Sequence, residues 1–150
     1  MLYLASSQQI ADNEPIFAAE NHMQTEMAVL ELCHTKLGVK LLPSDISIAH
    51  RLQRQKNSKG PPSVIVRLIT MKSRYSVYQT RKELKGLHSP IYINEDLTKL
   101  TADLFRRARG IWKKEIAATW TIGGILHVKK TDHPTCKPVK ILSEADLLSI

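Results

Sequence analysis

Apolar residues recur along this chain in two rhythms, at three- and four-residue steps in some stretches and at alternate positions in others. Met1-Leu2-Tyr3-Leu4 predicts a short opening strand, which Ser6-Ser7-Gln8-Gln9 ends. Ile16, Ala19, Met23, Met27, Leu30 and Leu37 then step by threes and fours, predicting an amphipathic helix that starts near Pro15, buries this Met and Leu stripe and closes at Gly38. Beyond a turn at Pro43-Ser44-Asp45, the alternation in Ile46 to Leu52 predicts a strand. Gln53 to Pro62 is basic and has no apolar anchor, so it reads as a loop, and Ser63 to Ile69 has the β-branched density of a central strand. Strand, loop and strand together predict a β-hairpin with a long tip. Thr70 is a good N-cap for a helix over 71–85 that ends at Gly86, and Pro90-Ile91-Tyr92-Ile93 predicts one more strand.

The order strand, helix, strand, strand, helix, strand over residues 1–94 is the split βαβ pattern of ferredoxin-like and RNA-recognition-motif folds. The expected fold class is therefore α+β, with a ferredoxin-like domain over 1–94 and a small helix-plus-hairpin domain over 95–150. In the second part Leu97, Leu100, Leu104, Ala108 and Ile111 predict a helix with a basic opposite face. Ala118 to Ile122 and Ile125 to Lys129 flank Gly123-Gly124, a dipeptide suited to a two-residue hairpin turn. Val139-Lys140-Ile141 predicts a last strand, and Ser143-Glu144-Ala145-Asp146 a capped helical turn.

Charge changes the picture more than composition does. The chain has 150 residues, 43% of them hydrophobic, enough for a modest core, and a formal net charge of +8. Residues 1–49 carry 2 basic and 6 acidic side chains, residues 50–87 carry 10 and 1, and residues 101–130 carry 7 and 2. Such asymmetry is expected of a surface that meets a polyanion, nucleic acid ahead of an anionic membrane. No run reaches the roughly 18 apolar residues of a membrane span, and the start has no basic leader, so the expectation is a soluble intracellular protein, nuclear or cytoplasmic, with no membrane partner. Cys33 and Cys136 are far apart and suggest free thiols rather than a disulfide framework or a zinc site.

The succession Leu37-Gly38-Val39, Asp45 to Leu52, Pro61 to Arg67 and Ile91 to Thr98 resembles the first-reading-frame nucleic-acid-binding proteins of LINE-type retrotransposons, over most of the chain. The tail, Trp120 to Lys129 followed by Ile141 to Leu147, is similar to the C-terminal domain of baculovirus few-polyhedra proteins. The resemblance implies an RNA-recognition-motif-like domain and a small C-terminal domain that jointly hold single-stranded RNA or DNA. It also implies a fragment or shortened relative, since the zinc-binding finger and coiled coil of such proteins have no counterpart here; self-association would rest on that missing N-terminal region. The Gly-Ile-Pro turn that usually follows the family's first strand is missing too, so the first strand is expected to be degenerate.

Binding is expected to be sequence-tolerant and electrostatic, in a basic groove between the two domains, through Arg51, Arg54, Lys56, Lys59, Arg67, Arg74 and Arg81 in the first and Arg106, Arg107, Arg109, Lys113, Lys114, Lys129 and Lys130 in the second. Arg51 and Arg67 stand out because they sit on predicted strands beside apolar neighbours. Aromatics are few, eight in all. Tyr92 and Trp120 are the stacking candidates, and Trp120 reads first as a core anchor of its hairpin. Glu95-Asp96 reads as an acidic helix start. No motif for a nucleophile, a metal or a phosphate-binding loop is present, so neither catalysis nor a cofactor is expected. The rival reading is a protein-interaction or self-association module that binds no nucleic acid.

Overall fold

The opening strand, expected to be degenerate, lies at the centre of a sheet. β1 (Leu2–Ser6) pairs antiparallel with β3 (Val64–Leu68) on one side, Leu4 opposite Val64, and with β4 (Ile91–Glu95) on the other, Leu4 opposite Ile93. β2 (Ile46–Arg51) adds to β3, so the sheet order is β2-β3-β1-β4. Leu2 and Leu4 are only 1% and 2% exposed. Two consecutive leucines on one face, paired on both edges, need no Gly-Ile-Pro turn to hold them. The computed structural model describes residues 1–6, 21–53, 61–110 and 116–149.

Helices α1 (His22–Leu37), α2 (Met71–Thr80) and the short α3 (Glu83–Gly86) complete this unit. Leu2, Leu4, Val64, Val66, Ile91 and Ile93 from the strands meet Val29, Leu32, Cys33 and Leu37 of α1, Val77 of α2 and Leu84 of α3 in one core. α1 begins later than the spacing predicted. Asn21 is extended, its side chain accepts from the Gln24 amide at 2.9 Å, and Gln24 Oε1 accepts from the Asn21 amide at 3.2 Å. That reciprocal cap fixes the first turn at His22. The phase shifts accordingly: Thr25, Ala28, Val29, Leu32, Cys33 and Leu37 are buried, whereas Met23 and Met27 of the expected stripe are 73% and 64% exposed. Pro15, Ile16 and Ala19 lie outside the described residues. Gly38, at φ 66°, supplies the left-handed C-cap. The helix expected over 71–85 is two pieces, interrupted at Arg81 and Lys82.

β2 departs from plain alternation. Its register against β3 shifts between Ile46 and Ile48, so Ile46 and Ala49 both face the core and Ile48 is exposed. A bulge of this kind inserts one residue and reverses the phase beyond it. Arg51, two residues past Ala49 and opposite Val64, is therefore turned toward the helix side.

The chain divides into units Met1–Asp96 and Leu97–Ile150, two residues later than the expected boundary. Glu95 closes β4, and the Asp96 amide still donates to the Met1 carbonyl at 3.0 Å. The second unit holds α4 (Lys99–Gly110), a sheet of order β5-β6-β7, and α5 (Glu144–Leu148). β5 (Ala118–Ile122) and β6 (Ile125–Lys129) form a hairpin whose two-residue turn, Gly123 at φ 62° and Gly124 at φ 78°, sets Ile122 opposite Ile125. β7 (Val139–Ile141) pairs with β6. Leu126, Val128 and Ile141 from one sheet face, Leu104 and Ala108 from α4 and Leu147 from α5 make the core. Leu104 and Ala108 of the expected stripe are buried, whereas Leu100, in the first turn of the helix after the Thr98 cap, is 60% exposed, and Ile111 lies outside the described residues. Together these elements make an α+β chain with two antiparallel sheets. No helix among the described residues is long and apolar enough to cross a membrane.

Candidate nucleic-acid interface

Each basic residue singled out above either sits in a described element or falls outside. Arg54, Lys56, Lys59, Lys113 and Lys114 lie outside the described residues. The remaining nine divide by whether the fold already engages them.

In the first unit Arg74 is engaged. β4 turns Ile91, Ile93 and Glu95 to the core side, and Glu95, only 4% exposed at its side chain, receives the Arg74 guanidinium at 2.7 Å. Glu95 is thus the buried end of a strand and not the acidic start of a helix, and it requires a countercharge there. Arg81 lies over the Tyr78 ring, 3.7 Å from its centroid, and donates to the Tyr78 carbonyl. Arg67 faces the other way. It stands opposite Ile48 on the sheet side away from the core and is exposed. Arg67 and Arg74 come together along a cavity of about 160 Å³, lined also by Thr70 and Met71 at the start of α2 and by Met1.

Arg51 is different in kind. It is half-buried, and its Nε and Nη2 atoms are buried without a hydrogen-bond partner among the described residues. Unmatched buried donors of a cation are costly, and these two present the parallel N–H bonds that a carboxylate or phosphate accepts in pairs. The bulge in β2 is what turns this side chain inward.

In the second unit Arg106 pairs with Asp103 at 3.0 Å, Arg107 pairs with Glu144, and Arg109 lies over the Phe105 ring at 5.4 Å from its centroid. All three remain exposed. The Arg107 pair joins α4 to α5, so reversing its charge would set two carboxylates against each other; Arg109 is the better probe of this face. Lys129 Nζ donates to the Asp132 carbonyl at 3.4 Å, and Lys130 is exposed.

Sequence reasoning missed one arrangement. Trp120 is absent from the core cluster; it stands directly opposite His127 on the other face of the second sheet, and the two rings lie near parallel, 12° apart, with centroids at 5.9 Å. Lys140 is opposite His127 on β7. The signal was present, since a two-residue turn at Gly123-Gly124 dictates that residue 120 meets residue 127. Tyr92 is likewise outside the core, 43% exposed. The face of the first sheet that carries Arg67 offers less room for stacking, because Ala5 and Ile65 there are 4% and 8% exposed.

The cysteines are free and chemically unequal. Burial pushes the Cys33 thiol up to about 12, while hydrogen bonds from Thr131 and the nearby Lys129 charge lower that of Cys136. His133 and Cys136 close a turn, the Cys136 amide donating to the His133 carbonyl at 3.0 Å. Among the described residues no group of three or more His, Cys, Asp or Glu is placed to hold a metal ion. No protein-family model and no curated protein matches the chain.

Proposed function

We propose that this protein is a non-catalytic module that binds single-stranded RNA or DNA with little regard to sequence. The observation that carries the reading is the charge imbalance of residues 50–87, where ten cations stand against one carboxylate, and its local expression at Arg51, whose Nε and Nη2 find no acceptor among the described residues. Cations in such excess draw counterions, and a phosphate backbone that displaces them gains affinity from their release. The sheet order β2-β3-β1-β4, with helices crossing between β1 and β2 and between β3 and β4, supports a ferredoxin-like, RNA-recognition-type first unit. The motif order supports kinship with the LINE-type and few-polyhedra-type proteins it resembles, and their setting suggests packaging or strand annealing as the use. Scarce aromatics on the first sheet make backbone contacts, rather than base readout, the main source of affinity.

Fluorescence anisotropy of a labelled 20-mer oligonucleotide, titrated at two salt concentrations, tests the reading. Binding at low salt should weaken by roughly tenfold or more between 50 and 200 mM if several phosphates are neutralised. Arg51→Gln should weaken it further while leaving secondary structure intact. No binding at the lower salt rejects the proposal, and sedimentation of the same samples shows whether self-association takes its place.

A further inference from the structure

We infer that the solvent-facing side of the second sheet is a base-stacking site for single-stranded nucleic acid, built on Trp120 and His127 and flanked by Lys129 and Lys140. The inference deepens the proposed function and rests on it.

The geometry follows from register. Thr119 and Thr121 share the side of β5 that meets Val128 and Leu126, which are fully buried under α4 and α5. Alternation then places Trp120 on the opposite side, in a row that runs Trp120, His127, Lys140 across the three strands. The next row holds Ala118 and Lys129. Two inter-strand spacings amount to roughly 10 Å, the footprint of one or two nucleotides.

The rings are prepared for a planar ligand. The His127 Nδ1–H donates to the Ile125 carbonyl at 3.0 Å, which fixes the imidazole plane close to that of the indole. Stacked near-parallel, the two rings cover one face of each other and leave their outer faces for a base, and both side chains keep part of their area in solvent. Among the described residues neither ring belongs to the core cluster of this unit.

Charge selects the ligand. Lys140 is exposed at one end of the row, and Lys129, which gives one N–H to Asp132, has further donors to offer beside it. An acidic peptide would satisfy the ammonium groups and leave the rings uncovered. A nucleotide strand satisfies both, its base on the indole and its phosphates on the lysines. The strand must be single, because a duplex keeps the faces of its bases stacked on one another.

The test uses the full chain carrying Trp112→Phe, so that Trp120 alone fluoresces. Adding an unlabelled 20-mer oligonucleotide at low salt should quench this emission, as stacking does. By anisotropy, Trp120→Ala should weaken binding by roughly 5- to 150-fold, and Trp120→Phe by much less. Lys140→Glu, an exposed change that spares the core, should weaken binding and flatten its salt dependence. Circular dichroism and a thermal melt establish that each variant is folded. If folded Trp120→Ala and Lys140→Glu both bind as the parent does, the site is refuted while nucleic-acid binding stands. If the parent itself binds no oligonucleotide at low salt, the functional reading falls and the site with it. Quenching by poly-glutamate and none by the oligonucleotide would assign the face to an acidic peptide and overturn the inference.

Discussion

Arg74 and Glu95 show how one charge can belong to the fold and not to a ligand. The carboxylate sits on the core face of β4, and the guanidinium reaches it from the first turns of α2. Removing the guanidinium takes away the countercharge that reaches the buried Glu95 carboxylate from α2. Arg74→Ala should therefore destabilise the first unit by roughly 3–5 kcal/mol in urea denaturation, and Arg74→Met combined with Glu95→Leu should recover most of that loss. If the single variant costs under about 1 kcal/mol, the pair is not holding α2 to β4. Arg51 presents the converse case, a cation on the same side of the sheet whose buried Nε and Nη2 have no acceptor among the described residues. The sequence ranks Arg51 and Arg67 above Arg74, because they stand among apolar neighbours, but does not reveal that Glu95 holds Arg74. Its partner lies 21 positions away, across a helix and a strand whose packing no local pattern encodes.

At the scale of elements, the terminal helix α5 depends on a single carboxylate. Asp146 accepts from the Leu142 and Ser143 amides, both at 2.9 Å, and Ser143 Oγ accepts in return from the Asp146 amide at 3.2 Å. The Leu142 amide and the Ser143 groups hold the Asp146 carboxyl below its ordinary value of 3.8. A folded value below the unfolded one means that this cap stabilises above pH 3.8, and that its contribution is lost as the pH falls through the folded value. The protection of the Leu147 amide, its exchange rate relative to that of an unstructured chain at the same pH, should therefore fall as the solution is acidified below pH 3.8, and Asp146→Asn should abolish the step. This cap was legible in the sequence, as was the turn at Gly123-Gly124, because both are fixed by residues within three positions of each other. The phase of α1 was not. The Asn21–Gln24 cap competes with Pro15 as a start signal, and choosing Pro15 turned Met23 and Met27 inward on paper. The bulge at β2 escaped for a similar reason: Ile46, Ile48 and His50 alternate well as letters, and only pairing with β3 breaks the rhythm.

At the scale of the whole molecule, the two units have cores that share no residue. Leu126 is fully buried in the second, so Leu126→Ala should cost that unit roughly 2–5 kcal/mol. Hydrogen exchange should then rise through 118–141 and remain unchanged at Leu4 and Val66. Matching losses in both units would mean that they unfold as one. The placement of β1 carries a consequence of its own, in the order of events during synthesis. Leu2 and Leu4 are synthesised well before both strands that flank them, Val64–Leu68 and Ile91–Glu95. β1 has no partner strand until about residue 68 has emerged, and its second edge stays open until about residue 95, so a chain released before that point would expose an unpaired apolar edge prone to aggregation.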